Sequence, residues 1–112
     1  MIELPFPSSA LSGHTKGHWR ATSGIVARHR EWAKNATLAA KPKIPETGDI
    51  RLVITFFPPS HRGDRINFSN RCKPYFDGIA DALKVNDSRF LPAYHYAEPV
   101  KNGRVVIVIG ET

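Results

Sequence analysis

Cysteine is almost absent from this chain: Cys72 is the only one in 112 residues. No internal disulfide can form, and a reducing compartment is the natural setting. No apolar run approaches the roughly 18 residues needed to span a bilayer. The opening Met1 to Pro7 has neither the basic start nor the apolar core of a signal peptide. Together these absences lead us to expect a cytoplasmic chain with no membrane partner. Zinc chemistry has no footing, because His14, His18, His29, His61 and His95 lack compact ligand spacing. A glycine-rich nucleotide loop is also missing, and with it any sign of an organic cofactor. Acid is scarce as well, at 10 Asp and Glu against 16 Lys and Arg, a net charge of +6. That balance favours an anionic partner, nucleic acid being the commonest. A basic protein without a polyanion partner is the plainer alternative.

An apolar content of 41% fits a globular class, and the length suggests one domain over residues 1–112. Ile2 to Phe6 reads as a short strand that Pro5 confines to an edge. Pro7 to Gly17 is a loop rich in Pro, Ser and Gly. Lys16, Trp19 and Arg20 combine basic and aromatic character there and suit phosphate contact and base stacking. A surface loop with Trp19 packed on the core is the competing reading. Thr22 or Ser23 can cap a helix reaching Ala40, with Ile25, Trp32, Ala36 and Ala39 on its apolar face; His29 on that side reads as a packed histidine. Asp49 to Phe57 alternates as a strand that Pro58 and Pro59 end.

A second helix starts near Arg71 to Lys73, with Pro74 in its first turn. Phe76, Ile79, Ala80 and Leu83 form its apolar stripe, and Lys73, Asp77, Asp81 and Lys84 a polar line. Gly78 weakens the helix or permits close approach of another backbone. Phe90 to Val100 reads as an edge strand limited by Pro92 and Pro99. Asn102-Gly103 is a hairpin turn, and the run from Val105 to Ile109 suggests a central strand buried on both faces. The order strand, helix, strand, helix, strand, strand gives an α/β (α+β) class, a small mixed four-stranded sheet with two helices packed against it.

Four of the few carboxylates, Asp64, Asp77, Asp81 and Asp87, fall in one stretch around Lys73. Hard oxygen ligands of this kind bind Mg²⁺ or Mn²⁺, which activate water and stabilise the leaving oxygen in phosphodiester hydrolysis. A neighbouring lysine supplies positive charge to the transition state. Asp64, Asp77 and Asp87 are the metal-site candidates, with Asn67 as a neutral oxygen donor and Lys73 as the catalytic cation. Each acid also has a structural alternative. Asp64 and Asp87 can cap turns, and Asp77 and Asp81 can pair with Lys73 and Lys84; for Asp81 that pairing is the preferred reading. Cys72 beside Arg71 and Lys73 reads as a small buried residue rather than an activated thiol.

These residues resemble the RusA family of Holliday junction resolvases, short phage and bacterial endonucleases. Leu4-Pro5-Phe6-Pro7-Ser8 is similar to the family's opening. Lys73 and Asp77 match the Lys-x-x-x-Asp of its core, Asn86-Asp87 the following Asp-Asp pair, and Lys101-Asn102-Gly103-Arg104 the closing turn. The leading Asp-x-Asp departs from the pattern. Counted back from Lys73 its positions hold Asn67 and Ser69; counted forward from Pro58, Asp64 takes the first and Ile66 the second. The second alignment is preferred because it retains one acid. What the resemblance implies is a homodimer that binds four-way DNA junctions and resolves them by paired symmetric cuts with Mg²⁺ or Mn²⁺, in recombination and repair. Arg62, Arg65 and Arg71 join Lys16, Trp19 and Arg20 as DNA-contact candidates. Tyr75 or Phe76 is a possible wedge at unstacked base pairs, with Phe76 more simply core or dimer interface. A junction binder that has lost cleavage, and a basic DNA-binding dimer without junction preference, are the rivals.

Overall fold

A computed structural model describes residues 1–11, 19–63 and 65–110, the first four of α1 by backbone alone. The elements are β1 (Ile2–Leu4), α1 (Trp19–Ala40), β2 (Ile50–Phe57), α2 (Arg65–Asn70), α3 (Lys73–Leu83), β3 (Phe90–Tyr96) and β4 (Arg104–Ile109). The strands form one mixed sheet in the order β1-β4-β2-β3. Strand β4 runs antiparallel to both neighbours, while β2 and β3 are parallel and joined through α2 and α3. This is the α+β arrangement expected, a four-stranded mixed sheet with two long helices. No helix among the described residues is long and apolar enough to cross a membrane.

Period-two alternation puts Ile50, Leu52, Ile54 and Phe56 of β2 on one face, fully buried. Val105, Ile107 and Ile109 of β4 and Ile2 and Leu4 of β1 extend that layer. Strand β4 is central, but only one of its faces is buried. Val106 and Val108 alternate onto the other and remain half-exposed, as do Val53, Thr55 and Phe57. A continuous apolar run therefore does not mean two covered faces here. Asn102 and Gly103 both take positive φ, 66° each, and Gly103 N–H bonds Val100 O. The turn is present as expected, but it does not form a β-hairpin, because β2 lies between β3 and β4. A side chain at Gly103 would meet Phe6 and Pro59 at 2.9 Å.

Helix α1 begins at Trp19 rather than at Thr22 or Ser23. Among its described side chains the buried stripe is His29, Ala33 and Thr37, not the set expected: Trp32 and Ala39 are exposed, and Ile25 and Ala36 lie at the margin. The reason is the closeness of α3. A Cβ on Gly78 would lie 2.2 Å from the Arg30 carbonyl and 3.0 Å from Ala33 Cβ, so only small residues fit where the helices cross. The burial of α3 is likewise rotated toward Tyr75, Gly78 and Ile79, with Phe76 and Leu83 half-buried against the core. Tyr75 is fully buried and donates to Pro5 O at 2.6 Å, which removes it as a wedge. His29 is packed as expected. Its ring lies 5.2 Å from that of Tyr75, Nδ1 donates to Ile25 O at 2.8 Å, and Nε2 accepts from Ser8 N–H at 3.2 Å. Two core side chains thereby hold the N-terminal Pro5–Ser8 segment.

Candidate functional site

Lys73 opens α3 and Asp77 follows one turn later, so the two side chains share a face. Pro74 sits in the first turn, where its missing N–H leaves no helical bond unmade. The far end of the helix returns the chain toward its start. Lys84 takes a left-handed conformation, φ 56°, and its N–H and that of Val85 close on Ala80 O. Asn86 then caps the short 3-10 turn Asp87–Arg89 by accepting from Ser88 N–H at 2.8 Å. Arg89 fixes the turn from the other side, donating to Gly48 O at 2.9 Å and Pro45 O at 2.8 Å. The outcome is that Lys73 Nζ contacts Asp77 Oδ1 at 2.9 Å and Asp87 Oδ2 at 2.6 Å. The hydrogen bonds it donates to Asp87 and then to Asp77 hold the ammonium pKa above its ordinary value. Lys73 is 64% exposed and the two acids 28% and 40%, so the set is reachable from solvent.

Lys73, Asp77 and Asp87, separated by up to 14 residues, thus converge. Asp64 lies outside the described residues. Asn67, half-buried on α2, makes no hydrogen bond to this trio among the described residues. Among those residues no group of three or more His, Cys, Asp or Glu forms a metal cluster; the convergent acids are two. Asp81 does not pair with Lys84. It takes a two-pronged contact from Arg30 of α1, 2.6 Å from Nε and 2.9 Å from Nη2, which lowers its carboxyl pKa. Cys72 is buried, and desolvation pushes its thiol up to about 12, in keeping with an inert role.

The DNA-contact candidates separate by environment. Arg62 and Arg65 are exposed, and the Arg65 guanidinium lies 6.0 Å from the centre of the Tyr96 ring. Arg71 is half-buried, 5.3 Å from the Phe68 ring and 6.0 Å from that of Phe6, and desolvation lowers its pKa. Phe76 packs against the core, which favours the structural of its two readings. Lys16 and the side chains of Trp19 and Arg20 lie outside the described residues. Helix α2, which carries Arg65 and Phe68, has no counterpart among the elements read from the sequence: six residues with a single buried apolar position carry too short a period to be read. The positioning role of Arg89 left no trace in sequence, because its partners are backbone carbonyls.

A protein of Xylella fastidiosa (strain Temecula1 / ATCC 700964), described as uncharacterized, is 37% identical over 113 residues, covering 96% of this chain and 74% of that protein. The chain belongs to the family of that protein. No model of a known protein family matches it.

Proposed function

We propose that the chain is a metal-dependent endodeoxyribonuclease that binds four-way DNA junctions and cuts them symmetrically as a homodimer in the cytoplasm. One observation carries this reading: two carboxylates, Asp77 and Asp87, share the single ammonium of Lys73. The trio bears one excess negative charge on a protein whose net charge is +6. A local excess of that sign attracts a cation, while the surrounding field attracts phosphate. Two carboxylates suit Mg²⁺ or Mn²⁺, which commonly bind through one or two acids and complete their shell with water and substrate phosphate. Asp77 and Asp87 would hold the ion, which supplies Lewis acidity and a bound water of lowered pKa. Lys73 remains protonated, so it acts as a positive charge toward phosphate oxygen and not as a general base. Arg62, Arg65 and Arg71 offer phosphate contacts along the adjoining segment. The resemblance to RusA resolvases rests on the same Lys73, Asp77 and Asp87. The half-exposed outer face of the sheet, with Val53, Phe57, Val106 and Val108, supports pairing of two copies about a two-fold axis.

A second reading, a junction binder without cleavage, is favoured by one observation: only two acids converge among the described residues. One assay separates the two. Purified protein is incubated with a labelled four-way junction and Mg²⁺ or Mn²⁺. Paired incision that Asp87→Asn abolishes while binding persists is the expected result. Saturated binding without incision sinks the nuclease. Equal affinity for junction and linear duplex at matched salt sinks the junction preference, because phosphate contacts alone carry no shape information.

A further inference from the structure

Beside α2 lies a cavity of about 340 Å³ that the metal-site reading does not use. Its described walls come from four separate segments: Phe6 and Ser9 near the N-terminus, Pro59 and Arg62 after β2, Phe68 and Arg71 around α2, and Asn102 in the turn before β4. Among the described residues neither Asp nor Glu lines it. Phe6 and Phe68 meet edge to face at 5.0 Å, and the Arg71 guanidinium lies against both rings. The volume is at the small end of ligand sites, far below what a duplex needs. Flat apolar walls accept the face of a base, since every base has a π-face that stacks on an aromatic ring. Arg62 and Arg71 both line the cavity, and Arg recognises a phosphate in planar, two-pronged fashion.

We propose that this cavity seats one unpaired nucleotide of a DNA strand, its base against Phe6 and Pro59 and its phosphate toward Arg62 and Arg71. The inference rests on the DNA-binding part of the proposed function. It adds a reason why branched DNA is preferred, because a junction offers unstacked bases and a linear duplex does not.

The test is binding without metal. Fluorescence anisotropy in EDTA compares a labelled duplex carrying one unpaired thymidine with the same duplex carrying an abasic residue there. The intact base should bind at least about fivefold more tightly, the lower range of base–aromatic stacking. Ser9→Phe places a ring in the cavity from an exposed position and should erase that preference with no change in the unfolding midpoint. Phe6→Ala should erase it too, although Phe6 also packs on the core. Equal affinity of the wild type for the two duplexes overturns the proposal, as does a preference that survives Ser9→Phe. A protein that cuts junctions but ignores the base refutes the cavity alone. One that prefers the base but never cuts refutes the nuclease alone. No DNA binding at all refutes both.

Discussion

Helix α3 carries two sets of ionic contacts that differ in stoichiometry. Asp81 meets Arg30 one to one, through two parallel contacts that join α3 to α1. Asp77 and Asp87 instead divide one ammonium between them. The first set is balanced and complete: it locks a helix crossing and has nothing left to offer a ligand. The second is short of positive charge, and its members come from two elements. The same residue types on one helix therefore serve opposite ends, and the count of opposing charges tells them apart.

Removing one charge from each set in turn is the strongest way to break this comparison. On the proposed nuclease reading, Lys73→Met should lower junction cleavage by about 10²–10³-fold, the usual effect of deleting a preorganised transition-state charge. Its chemical unfolding midpoint should barely move, because the pair is exposed. Asp81→Asn should leave cleavage at the wild-type rate. If the two variants lose cleavage equally, the distinction between the sets is wrong.

The helix crossing beneath Asp81 gives the next largest effect. Gly78→Ala would gain about 1 kcal/mol of helix propensity, yet its new methyl would strike the Arg30 carbonyl, with 2.2 Å available. Backbone cannot yield as a side-chain tip does, so we expect a net loss of about 1–3 kcal/mol, read from urea unfolding. A neutral or stabilising outcome would show that α1 and α3 separate easily. The balanced set would then not be locking the crossing.

How far these features were legible in sequence follows from the range of the forces involved. Alternation in β2 and the turn propensity of Asn102-Gly103 are local, and both were readable. So was the Lys73–Asp77 pairing, which is one helical turn. The Asp87 contact was suggested by residue types, but its geometry depends on the left-handed Lys84 and on the hold of Arg89 on two carbonyls. The partner of Asp81 was misread because Lys84 is near in sequence whereas Arg30 is near in space. The face of α1 was misread because apolar size points to Trp32, while the closeness of Gly78 admits only Ala33. Strand β4 was placed correctly at the centre, but its burial was overestimated, since nothing local shows that helices cover one face.

The packed side of α3 should also respond to acid. Burial, the largest influence on His29, holds its pKa below the ordinary 6.5, outweighing its bond to Ile25 O. Ser8 N–H donates to the second nitrogen, so the folded form requires a neutral ring. The unfolded chain binds the proton more readily, and stability therefore falls as pH drops below about 6.5. The loss stops growing once the folded ring itself titrates. His29→Gln should flatten the unfolding midpoint between pH 7 and 5, relative to wild type. An unchanged slope in that variant would assign the acid sensitivity elsewhere.

Salt gives the smallest and most discriminating effect. Arg30 and Asp81 are both exposed in part, 50% and 35%, so mobile ions screen their attraction. The matched geometry of the guanidinium and carboxylate does not depend on ionic strength. Arg30→Lys keeps the charge but loses the second prong, and it should lower the melting temperature slightly both at low salt and at 1 M. A deficit that disappears at 1 M would mean that Arg30 contributes charge alone. The balanced set would then differ from the Lys73 trio only in its count, not in its fixed geometry.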